Sequence, residues 1–154
     1  TSLLLDNASI KWVQGIVGVL LYYAWAINDK LLVTLSELGS QKAISTEATR
    51  TTITQLLDYV ATNPDDGIIY RASGMVLAAH SNAAYLNKSN ACSRVGAHIM
   101  LSEDTPVPPF NGPVLTIANI IKFVMSSMAE AKLVGLFITA KEMVPLQQTL
   151  IEMG

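Results

Sequence analysis

The chain has 154 residues, of which 51% are hydrophobic and 14% are charged, and its formal net charge is −2. This composition excludes an intrinsically disordered chain, because disorder combines low hydrophobicity with high net charge. It also argues against a stand-alone nucleic-acid-binding protein, since contacts to phosphates normally require an excess of basic residues. Cys92 is the only cysteine, so an internal disulfide is excluded.

The N-terminal residues lack the basic region and the small-residue cleavage site of a signal peptide. We therefore expect an intracellular protein, in the cytoplasm or nucleus, and both ends look cut from a longer chain. Residues 12–28 are uncharged and reach the lower edge of the length that crosses a bilayer. A buried core helix is the favoured interpretation of this segment, and membrane association through it is the alternative.

The first part of the chain is predicted to be helical, over residues 9–28, 30–42 and 47–62. Thr46 is suited to cap the third helix, and residues 63–67, Asn-Pro-Asp-Asp-Gly, are suited to end it. The apolar residues of this helix follow the spacing of one amphipathic face. They are Ile53, Leu56, Leu57 and Val60.

The second part of the chain begins with short apolar runs that contain β-branched residues and favour strands. Strands are predicted at Gly67–Arg71, Met75–His80, Arg94–Ser102 and Val114–Val124. Residues 103–113 contain four prolines, so they are predicted to form a loop.

A final helix is predicted to start after Ser126 or Ser127 and to run to about Met153. Pro145 lies inside it and should kink or interrupt it, because proline lacks the amide donor. The residues that form its apolar stripe are Ala129, Leu133, Leu136, Phe137, Ala140 and Val144. The predicted fold class is α/β: a helical N-terminal arm, then three strands and a long helix, with the change of character near residue 73.

Two segments in the first part of the chain resemble copia-type retrotransposon polyproteins. Residues 14–23, QGIVGVLLYY, are similar to the block R-x-L-V-G-S-L-L-Y-L that follows the polymerase palm. Residues 55–62, QLLDYVAT, with GIIY at 67–70, are similar to the connection R-I-L-R-Y-L-K-G-T … G-L-x-Y.

Further segments resemble the start of the ribonuclease H domain of the same family. Residues 80–85, HSNAAY, and 93–98, SRVGAH, are similar to S-D-A-S/D-Y/W … S-R/T-x-G-Y. Residues 126–133, SSMAEAKL, are similar to S-S-x-A-E-A-E-L/Y. The resemblance implies a reverse transcriptase connection at residues 1–72 and a truncated ribonuclease H-like domain at 73–154.

The family hydrolyses the RNA strand of an RNA–DNA hybrid with two Mg²⁺ ions held by carboxylates. The resemblance places Asn82 where the first-strand aspartate belongs and Lys132 where the helix glutamate belongs, and it places the third carboxylate beyond Gly154. A neutral amide and an ammonium hold Mg²⁺ poorly, so we expect an inactive nuclease and no bound cofactor. Glu130 lies roughly 160° around the helix from Lys132 and cannot replace it.

Other candidate sites are weaker. Arg71, Lys88 and Arg94 are candidates for contact with a hybrid backbone, although ordinary surface positions are the simpler explanation. A zinc site built from His80, Cys92 and His98 is disfavoured, because no two of them have the short spacing typical of zinc ligands.

The resemblance implies the rest of the polyprotein as a partner, and an RNA–DNA hybrid is the family's substrate, although the net charge of −2 does not favour its binding here. No membrane is expected as a partner. The alternative function is a non-enzymatic protein-interaction module that binds through a helical arm or an exposed sheet edge, where unpaired strand groups also permit self-association.

Overall fold

A computed structural model describes residues 3–41, 45–86 and 92–154 of the chain. The chain divides into two compact units, Thr1–Ile68 and Ile69–Gly154. The division lies a few residues before the change of sequence character near residue 73.

The first unit is helical. Its elements are α1 (Asn7–Ala26), a single 3₁₀ turn (Asp29–Leu31), α2 (Leu32–Ser40) and α3 (Glu47–Thr62). The three predicted helices are thereby confirmed in number and order among the described residues, with ends that differ by about two residues, which is the usual scatter.

Helix α1 packs against α2 and α3 through one face. Asp6 caps its N-terminus by accepting a hydrogen bond from the Ser9 N–H at 3.1 Å. Its buried residues recur every three or four positions, as an amphipathic helix requires, and they are Val13, Val17, Leu20 and Ala24. No helix in the described parts of the chain is long and apolar enough to span a membrane.

Helix α3 confirms its sequence prediction. Thr46 is the N-cap, and its backbone N–H donates to Thr49 Oγ1 at 3.2 Å. Ile53 and Leu56 are buried on the face that packs in the unit, and the helix ends before Asn63, as the turn residues predict.

The second unit contains an antiparallel sheet in the order β1-β2-β3 and one long helix. The elements are β1 (Val76–Ala84), β2 (Ser93–Ser102), β3 (Pro113–Ile121) and α4 (Met128–Met153). The predicted mixed α/β class, with three strands followed by a long helix, is confirmed. Within the described residues, β1 and β3 are the edges of this sheet.

The core of the second unit lies between one face of the sheet and α4. Val95 and Ile99 of β2 are fully buried there, and Ala131 of α4 is fully buried opposite them. The helix lies close to the sheet at Gly135, where an added Cβ would lie 3.1 Å from the Cβ of Ala83. A glycine at this position therefore permits the close approach of α4 to β1.

The apolar stripe of α4 is not the face that the sheet covers. Its six members are all exposed, and the sheet instead contacts the opposite face through Ala131, Gly135 and Thr139. Both faces of α4 are apolar, so periodicity alone could not choose between them. The helix continues through Pro145, so of the two expected effects of this proline, a kink or an interruption, the interruption does not occur.

The predicted strand at Gly67–Arg71 is wrong, because this segment joins no sheet. Two of its backbone N–H groups have partners outside any sheet: Ile68 N–H donates to the Ile27 carbonyl at 2.7 Å, and Arg71 N–H donates to Asn111 Oδ1 at 2.7 Å. The remaining three strands are confirmed, although β1 continues past His80 to Ala84 and β3 ends at Ile121.

Candidate functional site

Asn82 lies in β1, on the face of the sheet that is turned away from α4. Its neighbour Ala83 packs under Gly135 of α4, and successive side chains of a strand point to opposite faces. Asn82 is exposed, and its Oδ1 accepts a hydrogen bond from the Ala83 N–H at 2.9 Å. The amide oxygen is thus already engaged by the backbone N–H of the next residue.

Lys132 and Glu130 lie in the first turns of α4, and both side chains are exposed. Glu130 Oε2 accepts hydrogen bonds at 2.7 Å from the backbone N–H and from the hydroxyl of Ser126. These two donors hold the pKa of Glu130 below its ordinary value. Glu130 therefore ties the first turn of α4 to Ser126, the residue before the N-cap, while Ser127 Oγ caps the helix by accepting from the Glu130 N–H.

The structure does not bring Asn82 and Lys132 together. Lys132 belongs to the helix that covers one face of the sheet, whereas Asn82 projects from the other face. Carboxylates that share two metal ions about 4 Å apart must converge on one point. The two positions identified by the resemblance do not have this arrangement.

The face of the sheet that carries Asn82 also carries a pair of histidines. His80 and His98 are direct partners in the β1–β2 register. The Phe110 ring stacks on His80 with centroids 4.5 Å apart and meets the edge of His98 at 5.6 Å. His98 Nε2 is 2.9 Å from the Asn111 carbonyl oxygen. Phe110 of the proline-rich loop thus contacts both imidazoles, and Asn111 contacts that of His98.

Asn111 fixes this loop to the end of β2. Its Nδ2 donates to the carbonyls of Leu101 and Arg71 at 2.8 and 2.9 Å, and Ser102 Oγ donates to the Pro109 carbonyl at 2.7 Å. The loop is therefore a structural cover for this end of the sheet. The sequence did not predict the cluster of His80, His98 and Phe110, because nothing in a single sequence indicates that the Phe110 ring stacks on His80.

The three candidate zinc ligands are only partly assembled. Cys92 immediately precedes β2, whereas His98 lies six residues further along the chain, or roughly 20 Å in an extended strand. Within the part of the chain that is described, no group of three or more His, Cys, Asp or Glu side chains is arranged to hold a metal ion.

The three basic candidates do not form a common patch where they are described. Arg94 is 7% exposed, which makes it unsuitable for contact with a phosphate backbone. Arg71 is exposed and lies beside Asn111 near the other end of β2. Lys88 lies outside the described residues.

The first unit contains a polar cluster that sequence reasoning did not identify. Asp66 accepts hydrogen bonds from the Tyr59 hydroxyl at 2.6 Å and from Lys30 Nζ at 2.9 Å. The Tyr59 hydroxyl and then the Lys30 ammonium hold the pKa of Asp66 below its ordinary value. The cluster joins the turn after α3 to the 3₁₀ turn and is readily explained as structural.

No protein-family model matches the chain, and no match was found among curated proteins or solved structures. The function is therefore argued from the sequence motifs and the placement of their residues.

Proposed function

We propose that the chain is a catalytically inactive piece of a copia-type reverse transcriptase and ribonuclease H. Four motif blocks in family order support this ancestry, from residues 14–23 to residues 126–133. The element order of helices, three antiparallel strands and a long helix is compatible with it. An intracellular location and association with the rest of a polyprotein belong to the same proposal.

The observation that carries the loss of activity is the chemistry and placement of Asn82 and Lys132. An amide lacks the negative charge that holds Mg²⁺, and an ammonium repels the ion. The two side chains also lie on opposite sides of the sheet. Ribonuclease H chemistry in the family would need Mg²⁺, and these two residues do not fit that ion.

A cleavage assay tests the proposed inactivity. The full chain is incubated with an RNA–DNA hybrid and Mg²⁺, beside an active ribonuclease H as positive control. We expect no cleavage above the level without protein. The double variant Asn82→Asp/Lys132→Glu should also be inactive, because the new carboxylates would not converge. Cleavage by the unmodified chain that EDTA abolishes would overturn the proposal.

The ancestry has its own test, which is independent of activity. Genomic sequence upstream of the coding region should encode a Y-V-D-D-like polymerase motif, and sequence downstream should encode a D-N motif. An intact stand-alone reading frame with neither motif nearby would contradict the ancestry.

A second candidate function is a protein-interaction module. The observation that favours it is the exposed apolar face of α4, where Leu133 and Phe137 are each 68% exposed. Isolated apolar residues are common on protein surfaces, but a continuous apolar patch is more typical of an interaction site.

A further inference from the structure

The outward face of α4 consists of large apolar side chains that contact little of the second unit. Leu133 and Val144 are 68% and 66% exposed, and Leu136 is 58% exposed. This face is opposite to the one that packs on the sheet through Ala131 and Gly135. The helix is therefore apolar on two sides and is covered on only one.

The spacing of this face fits a second helix. Leu133, Phe137, Ala140 and Val144 follow one another at intervals of four, three and four residues. This is the spacing of a coiled-coil seam, in which each side chain enters a hole on the facing helix. An open groove of about 410 Å³ lies along the face, lined by Leu133, Val134, Leu136, Phe137 and Ala140.

The face complements itself when its direction is reversed. A two-fold axis between residues 138 and 139 puts the large Phe137 opposite the small Ala140 of the other copy, and Leu133 opposite Val144. The same axis puts Glu130 opposite Gln147, so polar pairs end the apolar stretch on both sides. Large-to-small matching of this kind lets facing layers interdigitate.

We propose that the outward face of α4 binds a second copy of this chain, in an antiparallel helix pair with two-fold symmetry. In such an interface the same patch is used by both copies. The four seam positions carry no charge, so the recognition rests on size matching. This inference comes from the geometry of α4 and holds whether or not the proposed ancestry is correct.

The small size of the seam favours a weak dimer. Four apolar layers with their flanks bury on the order of 500–800 Å² per copy, at or below the standard interface size. We therefore expect a dimer with a dissociation constant in the micromolar range, which dilution separates into monomers.

Analytical ultracentrifugation of the full chain at micromolar concentrations tests the proposal. We expect the mass to rise from monomer to dimer between about 1 and 100 µM. Phe137→Glu should weaken the dimer by about 30-fold or more, because it puts a charge at the centre of the seam. Phe123→Glu is the matched control: Phe123 is 71% exposed and lies outside α4, so the dimer should be unchanged.

A size swap tests the register. With Phe137→Ala alone, an alanine at 137 faces Ala140 of the other copy and leaves a gap. With Ala140→Phe alone, a phenylalanine at 140 faces Phe137 of the other copy and the two rings clash. Each single variant should therefore weaken the dimer. The double variant Phe137→Ala/Ala140→Phe again puts a large residue opposite a small one and should restore it. Circular dichroism of each variant verifies that α4 is intact.

Several outcomes would overturn the proposal. One is a chain that stays monomeric at about 100 µM, well above a micromolar dissociation constant. Another is a dimer that is insensitive to Phe137→Glu, which would point to association through a sheet edge. A third is a monomer that binds phosphatidylcholine vesicles through Phe137, which would make a lipid surface the occupant of this face. Failure of the double swap to restore association would exclude the antiparallel register.

Discussion

Helices α3 and α4 differ in which of their apolar residues are buried. Helix α3 has one apolar face and buries it through Ile53 and Leu56, while its other sides carry threonines and charged residues. Helix α4 is apolar nearly all round, and it buries the side with the small residues Ala131 and Gly135. The larger side chains, such as Phe137, remain in contact with solvent.

The difference teaches that the sheet selects a face of α4 by fit as well as by hydrophobicity. A helix can approach a strand closely only where its side chains are small, and Gly135 lies against Ala83 and Val95. The large residues of the other face would hold the helix further away. These large residues therefore remain exposed in the second unit.

The largest expected effect concerns the single buried face of α3. Ile53 is fully buried, so Ile53→Ala should lower the free energy of unfolding of the first unit by about 2–5 kcal/mol. Trp12 and Trp25 are the only tryptophans and both lie in α1, so their fluorescence in urea reports on this unit. Gln55→Ala on the exposed side should change it by less than about 0.5 kcal/mol. Equal effects of the two variants would contradict the assigned core.

The next effect separates the two faces of α4. Ala131→Leu should destabilise the second unit by about 1–3 kcal/mol, because Ala131 is fully buried against the sheet and has no room for a larger side chain. Ala129→Leu, at an exposed position of the same helix, should cost less than about 0.5 kcal/mol. Hydrogen exchange of the β2 amides measures both. The reverse order would mean that the other face of α4 packs on the sheet.

A smaller effect is expected at the start of α4. Ser127 Oγ accepts from the Glu130 N–H at 3.1 Å, and loss of such a cap costs about 1 kcal/mol. Ser127→Ala should therefore lower the thermal midpoint of the second unit. Ser126→Ala keeps the backbone N–H that binds Glu130 and should have the smaller effect. A larger effect at Ser126 would assign the cap to that residue.

The smallest effect concerns the polar cluster of the first unit. The Tyr59 hydroxyl and Lys30 lower the pKa of Asp66 in the folded protein. The ionised carboxylate therefore stabilises the fold at pH values above 3.8, the pKa of the unfolded state. This stabilisation is lost as the pH falls through the lower pKa of the folded state. Asp66→Asn should reduce stability slightly at neutral pH. Urea unfolding of both proteins should become indistinguishable in acid below that range. A difference that persists there would contradict the assigned cause.

The sequence by itself determined the features that depend on neighbouring residues. Thr46 caps α3, the turn after Thr62 ends it, and the three prolines within residues 103–112 disfavour strand pairing there, whereas Pro113 begins β3. The order of helices, strands and final helix also followed from local patterns, because periodicity and turn residues act over a few positions.

Only the tertiary structure decided the features that depend on distant parts of the chain. The buried face of α4 is set by the sheet, since both faces are apolar, and the side of the sheet on which Asn82 lies is set by strand pairing. The meeting of His80, His98 and Phe110 depends on the β1–β2 register and on the course of the loop. A shift of one residue in pairing would exchange the two faces of a strand, and a single sequence does not specify that pairing.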